Sequence, residues 1–363
     1  MTADPSGNAL ASQYDGLVCD LDGVVYRGGR AVVHAVESLL GCPAKVRVAY
    51  ATNNASRVPA DVAAQLRTYG LPAVPADVVT SAQAGARLLA SRLPQGATVL
   101  AVGGPGVADA LSNAGLRPVG RDGGAPGIQA VLQGYGSGVT AADLAEASYA
   151  VQGGALWVAT NRDATLPTER GTAPGNGGLV SAVAAAVGRE PVVVGKPQSP
   201  LYEACAERLS LPLNRILAIG DRLDTDILGA AAAGMDSLWV LTGVDSLVEL
   251  VTGGTSASPT FVARDLRALS EPYEVPRLAG QWWACGAVRV RVSRDAEVTR
   301  VLETTVSQPG HASEETRKAL LRAGVRALCE ARDEGALPRD NVVRGAVELT
   351  SLAIDTPPGG SGQ

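Results

Sequence analysis

From Asp15 to about Arg264 the chain alternates short apolar runs with amphipathic stretches. The runs 16–20 (GLVCD), 46–52 (VRVAYAT), 192–195 (VVVG), 216–221 (ILAIGD) and 237–243 (SLWVLTG) have the length and composition of buried strands. Helical stretches follow several of them: 61–69, a stretch opened by Ser199 as N-cap with Pro200 at the first helical position, and 226–233, closed by Gly234. This repetition predicts α/β architecture with a doubly wound, mostly parallel sheet. Polar residues stand just after those strands: Asp20 and Asp22, Thr52-Asn53-Asn54, Lys196, and Asp221. Open α/β sheets bind ligands beyond the carboxyl ends of their strands, so the four clusters should converge on one crevice.

Spacing places a second domain. Only 29 residues separate Asp22 from Thr52, enough for one crossover, whereas 141 separate Asn54 from Lys196. That long interval has βα signals of its own at 98–104, 130–136 and 156–160. We read 81–185 as an inserted α/β domain over the crevice and 14–80 with 186–272 as a discontinuous core. After about 273 the pattern changes. A turn-rich stretch leads to the alternating run 287–292 and to an amphipathic helix over 313–334, with Leu320, Leu321, Val325 and Leu328 on one face. A small α+β domain is expected over 273–350, with Trp282-Trp283 as its anchor against the body or a second copy. A disordered tail is expected over 351–363.

Composition narrows the function classes. Hydrophobic residues make up 46% and charged residues 18%, as expected of a chain with a large core and two or three domains. The formal net charge of −5 argues against nucleic acid as a partner. No stretch approaches the roughly 18 apolar residues of a membrane span, and the first residues lack the basic and apolar segments of a signal peptide, so a cytoplasmic protein is expected. Five scattered cysteines without a C-x-x-C pair argue against a disulfide framework or a zinc site. With His34 and His311 the only histidines, catalysis must rest on carboxylates.

Asp20-Leu21-Asp22-Gly23 sets two carboxylates two residues apart at a strand end, with a glycine that permits a sharp turn. Alone, such a sequence reads more readily as an Asp-rich turn that ends the strand. Gly220-Asp221-Arg222-Leu223-Asp224-Thr225-Asp226 brings up to five carboxylates to the crevice, more than can stay ionised without a cation. Oxygen ligands without His or Cys favour Mg²⁺. Asp224 is read as the cap of the following helix, while Asp226 stands open between a cap and a site role. Thr52, Asn53 and Asn54 offer donors suited to phosphoryl oxygens. Lys196, one of three lysines against 28 arginines, supplies a compact charge at a strand end.

In order and spacing, DLDGV, TNN, GKP and GDRLDTDI resemble the haloacid-dehalogenase superfamily of aspartate-nucleophile phosphatases, and the placement of the insert resembles subclass IIA. The likeness covers about 14–265. The C-terminal addition is similar to that of actinobacterial D-glycerol-3-phosphate phosphatases as a group. The resemblance implies a Rossmann-like core with a C2-type cap, an aspartyl-phosphate on Asp20, and Asp22 as general acid and base. It implies Mg²⁺ held by Asp20, the Asp22 carbonyl and Asp221, with Asp226 behind them, and phosphate held by Thr52, Asn53, Asn54 and Lys196. It makes Asn161, Arg162, Asp163 and Leu166 part of a substrate loop in the cap. Where the pyridoxal phosphatase branch has His-Pro, this chain has Leu166-Pro167, which favours a smaller ester. Glycerol 3-phosphate is the expected substrate, phosphoglycolate or a broad range of sugar and nitrophenyl phosphates the alternative, and a weakly catalytic scaffold acting through the C-terminal domain the reading of another class. A small-molecule ester is the expected partner, with room for a homo-oligomer through the cap or the C-terminal domain. That domain resembles a truncated acetyltransferase, but 308–311 does not fit a coenzyme A loop and no transferase activity is expected.

Overall fold

Strand β1 (Gly16–Asp20) is covered on both faces, as its unbroken apolar run requires of a central parallel strand. Leu17 and Cys19 enter one core and Val18 another. The computed structural model describes residues 8–123, 127–168, 170–253, 258–293, 301–306 and 312–354. After β1 come a small hairpin (Tyr26–Arg27 with Arg30–Ala31), β2 (Arg47–Thr52) and the short β3 (Val78–Thr80). The chain then builds an insert with β4 (Thr98–Val102), β5 (Arg117–Val119), β6 (Ala130–Gln133), β7 (Leu156–Ala159), the hairpin β8 (Thr165–Thr168) and β9 (Gly171–Pro174), and β10 (Val192–Val193). It returns through β11 (Ile216–Gly220), β12 (Asp236–Val240) and β13 (Phe261–Ala263). A C-terminal unit follows, with β14 (Arg277–Ala279), β15 (Trp282–Cys285), β16 (Val288–Val292), β17 (Leu302–Thr304) and the helices Glu314–Asp333 and Arg339–Ala353.

The core sheet runs β13-β12-β11-β1-β2-β3, all parallel. The insert has its own parallel sheet, β10-β7-β6-β4-β5, and the C-terminal unit an antiparallel one, β14-β15-β16-β17. The expected doubly wound α/β core with a second α/β layer and an α+β addition is therefore present. One strand belongs elsewhere than expected. Within the run 192–195 only Val192–Val193 is strand, and it pairs with Val158–Ala159 of β7 rather than with the core. A short apolar run reads alike in either sheet, so only its partner decides. The insert's sheet thus extends beyond residue 185, and Lys196 enters the crevice from that side.

One local expectation also shifts. Ser199 precedes helix Pro200–Leu209 in helical backbone conformation, and its hydroxyl bonds Glu203 (2.7 Å) instead of capping a backbone N–H. Ser313 does cap its helix, accepting from the Thr316 N–H at 3.2 Å, with Glu314 and Glu315 in the first turn where the helix dipole favours them.

Helix Glu314–Asp333 sends Leu320, Leu321, Val325 and Leu328 into a core shared with Leu223, Ile227, Trp239 and Leu250 of the α/β body. Of the expected anchor, Trp283 packs against this joint core while its indole donates to Glu330 at 2.8 Å, and the Arg291 guanidinium lies 4.6 Å over Trp282. The indole inside the joint core is the fully buried Trp239 of the body, which a strand pattern alone does not single out. Residues 351–353, expected in the tail, complete the last helix, while 355–363 and the 308–311 stretch with His311 lie outside the described residues. All five cysteines are free thiols. Among the described residues no helix is long and apolar enough to cross a membrane.

Candidate active site

Strands β11, β1 and β2 are neighbours, so Asp20, Thr52 and Asp221 leave the sheet side by side. Lys196 reaches them from the insert's side. Its buried ammonium donates to Asp20 Oδ1, to Asp226 Oδ1 at 2.7 Å and to the Ala51 carbonyl at 3.3 Å. Asp20, Asp221 and Asp226 each offer an oxygen within 4.8 Å of the others. Three carboxylates around one ammonium leave surplus negative charge where water is scarce, which raises their proton affinity. Burial pushes the Asp20 carboxyl well above the ordinary range, although Lys196 opposes it. Burial and then the Asp226 charge push Asp221 up to about 7. For Lys196 burial acts in the opposite sense, but Asp20 and Asp226 outweigh it and hold the ammonium well above its usual value.

Asp221 sits in a cradle of small residues and fixed donors. Gly23 has φ +87°, and a Cβ there would stand 2.5 Å from Asp221 Oδ2, while one on Gly243 would overlap the same oxygen. Asp221 Oδ2 accepts from the Val244 N–H at 2.7 Å, and its backbone carbonyl accepts from the Trp239 indole at 2.9 Å. Asp226 divides its carboxylate between Lys196 and the Arg222 N–H (3.1 Å), so Asp226, not Asp224, caps this turn. Asp224 faces solvent and forms a fork with the Arg222 guanidinium, with bonds of 3.1 and 2.8 Å. The correction has a geometric cause, because the turn Leu223–Ile227 is a wide π turn that brings residue 226 back over residue 222. Asp22 opens onto the crevice, yet the protein mass around it desolvates the carboxyl enough to raise its pKa against the weaker pull of Lys196 and Arg57. The donor set is oxygen only, carries surplus negative charge and has one carboxyl held half-protonated near neutral pH. It fits a hard divalent cation such as Mg²⁺.

The insert closes on this site through Asn53. Its carboxamide accepts from the Lys196 N–H (2.8 Å) and donates to the Lys196 carbonyl (3.1 Å) and, at 3.4 Å, to both oxygens of Asp163. Asn161 donates to the Asn53 carbonyl at 2.8 Å. A cavity of about 300 Å³ opens beside them, walled in part by Arg162, Asp163, Thr165, Lys196, Gln198 and Arg222. Burial raises the Asp163 carboxyl against the nearby Arg222. Thr52 is buried, its hydroxyl accepting from the Asn54 N–H at 3.0 Å, whereas the Asn54 carboxamide turns to the Ser56 N–H (3.0 Å) and hydroxyl (2.7 Å). Arg162 ion-pairs with Glu190, and Leu166 sits on β8 opposite Ala173, beyond the cavity wall.

Residues 17–117 match the haloacid dehalogenase-like hydrolase family and residues 193–269 match HAD-hydrolase-like domains. The chain is 40% identical over 359 residues to a D-glycerol 3-phosphate phosphatase of Mycobacterium tuberculosis, covering 95% of this chain and 99% of that one. The chain belongs to the haloacid dehalogenase-like hydrolases. It is also 34% identical to an acid sugar phosphatase of Staphylococcus saprophyticus, over 72% of this chain and 98% of that one. The crystal structure of the M. tuberculosis glycerol phosphate phosphatase in complex with magnesium superposes with a TM-score of 0.69 at 43% identity, covering 76% of this chain and 85% of that one.

Within this hydrolase, residues beyond the sequence reading join the site. Thr242 donates to the Gly23 carbonyl at 2.6 Å, Asp245 Oδ2 accepts from the Leu223 N–H at 2.6 Å, and the Tyr202 hydroxyl donates to the Asp226 carbonyl at 2.9 Å. Thr242 and Asp245 follow β12 as Asp22 follows β1, so the same strand-end signal points to them. Arg222 follows β11 in the same way, inside the acidic turn already singled out, whereas Tyr202, within helix Pro200–Leu209, carries no such mark.

Proposed function

We propose that this HAD-like hydrolase is a Mg²⁺-dependent phosphomonoesterase whose substrate is glycerol 3-phosphate. The observation that carries the reading is the Asp20 carboxylate at the end of β1, bonded to the buried Lys196 ammonium, with Asp221 and Asp226 within 4.8 Å. In this reading Asp20 attacks phosphorus and forms an aspartyl-phosphate as the P–O bond to the alcohol breaks. Asp22 gives the departing alkoxide its proton, then takes one from the water that cleaves the acyl phosphate. Its raised pKa keeps that proton available nearer neutral pH, as a general acid needs. Lys196, Thr52 and Asn53 hold the phosphoryl oxygens. Asp20, the Asp22 carbonyl and Asp221 would hold Mg²⁺, which supplies charge that offsets the repulsion between carboxylate and phosphate.

The substrate follows from the cavity and from the relatives. A volume of about 300 Å³ walled by Asp163, Gln198 and Arg222 suits a short polyol that exchanges water for fixed polar partners. The M. tuberculosis relative that covers nearly the whole chain is a D-glycerol 3-phosphate phosphatase. The test is phosphate release from both enantiomers of glycerol 3-phosphate, phosphoglycolate and p-nitrophenyl phosphate, with Mg²⁺ and with chelator, using Asp20→Asn as control. Metal-dependent release that favours one glycerol phosphate and vanishes in the variant is expected. Equal kcat/KM across the panel would refute the substrate, and undiminished release by Asp20→Asn would refute the mechanism.

A further inference from the structure

The turn after β1, the acidic turn after β11 and the C-terminal unit all meet on one stretch of chain, 242–251. At its start the Thr242 hydroxyl donates to the Gly23 carbonyl (2.6 Å). Next the Val244 N–H donates to the Asp221 carboxylate (2.7 Å), and the Asp245 carboxylate accepts from the Leu223 N–H (2.6 Å). These last two bonds run in opposite directions, so they tie 221–223 to 244–245 as a pair. Ser246 then opens the helix Leu247–Val251 with a reciprocal cap, accepting from the Val248 N–H (3.2 Å) while Glu249 accepts from the Ser246 N–H (2.9 Å). Five residues are far too few for a helix to hold itself. Its buried Leu247, Leu250 and Val251 share a core with Leu321, Leu328 and Leu349, and the Arg332 guanidinium donates to the Leu250 carbonyl at 2.9 Å.

We propose that 242–251 is a strap through which the C-terminal unit holds Asp221 oriented for the metal, with Asp245 as its positioning residue. The proposal rests on the Mg²⁺ reading above. A charge-assisted bond from a backbone N–H fixes the direction of a carboxylate only if the donor is itself fixed. Val244 has no side-chain means of fixing its own N–H. Asp245 fixes it from one side, and the helix anchored under Arg332 fixes it from the other. The C-terminal unit then serves the phosphatase by making the Asp221 cradle rigid, although none of its described residues lines the cavity.

The test is the Mg²⁺ dissociation constant of the full-length chain, measured by calorimetry at pH 8, beside unfolding in urea. Groups that orient a metal ligand typically set affinity by 10- to 100-fold. Asp245→Ala should bind Mg²⁺ about tenfold more weakly, while Asp245→Asn, whose carboxamide oxygen can still accept from Leu223, should stay within about threefold of wild type. Arg332→Met keeps the apolar stem and should weaken Mg²⁺ binding several-fold. A purely structural role predicts lower stability in urea with an unchanged dissociation constant. An unchanged constant in Asp245→Ala, or equal weakening in the Ala and Asn variants, overturns the strap at Asp221. An unchanged constant in Arg332→Met overturns its link to the C-terminal unit, and that variant carries the test alone if Asp245→Ala fails to fold. Absence of Mg²⁺ binding by the wild type would instead overturn the metal reading itself.

Discussion

Replacing Lys196 by Met removes the buried cation and keeps most of its stem. Asp20 and Asp226 then face each other without the ammonium that bonds both. Buried carboxylates left in this way recover neutrality by taking a proton. Protonating a carboxyl of the ordinary affinity, 3.8, at pH 7 costs about 4 kcal/mol, at 1.36 kcal/mol per unit. This agrees with the roughly 3–5 kcal/mol lost when one partner of a buried pair is deleted. The same reasoning sets the pH dependence. Each unit of acid lowers the cost by about 1.4 kcal/mol, so the difference from wild type should shrink by nearly 3 kcal/mol between pH 7 and pH 5. Urea unfolding of both proteins in chelator, at the two pH values, measures it directly. A loss below 1 kcal/mol at pH 7, or the same loss at both, would show that the ammonium does not neutralise this cluster.

Four further outcomes follow from the same geometry. With its carboxyl raised to about 7 when no metal is bound, Asp221 takes up protons on folding between 3.8 and 7, so metal-free stability should fall as pH rises through that window and level off above it. For the same reason Mg²⁺ must displace a proton below pH 7, and its dissociation constant at pH 6 should exceed that at pH 8 by roughly tenfold, read by calorimetry. Gly243→Ala puts a methyl group onto Asp221 Oδ2 and should weaken Mg²⁺ binding by tenfold or more, whereas normal binding would mean the carboxylate has room to move. Trp239→Phe leaves the Asp221 carbonyl without its 2.9 Å donor and should cost about 1–3 kcal/mol in urea unfolding.

The sequence makes the core sheet visible because its strands need no partner to be recognised. GLVC and ILAIG carry no polar side chain, a pattern that occurs where helices cover both faces. The acidic groups that end them are equally visible, since Asp20, Thr52 and Asp221 each break an apolar run. The edge strands β3 and β13 are missed for the opposite reason: VVT and FVA are three residues long and carry no period to count.

What periodicity does not carry is which segment lies against which. Val192–Val193 has the composition of a core strand, but its partner is Val158–Ala159, and this choice brings Lys196 to Asp20 from the insert's side. Motion of that sheet must therefore move the ammonium as well as the cap loop. Asn53 bonds the Lys196 backbone on both sides and Asp163 besides, so the end of β2, the buried cation and the loop over the cavity form one hydrogen-bonded unit. Asp221 is held from the opposite side by Val244 and Trp239, with Gly23 and Gly243 leaving it space. The crevice is thus divided by what holds each half: the insert positions the cation, and the core with its C-terminal support positions the acid. Closure of the insert then acts on Asp20 and Asp226 through the Lys196 ammonium that bonds both, while the Val244 and Trp239 bonds keep Asp221 in place, an arrangement suited to a site that must bind an anion and release another around one fixed carboxylate.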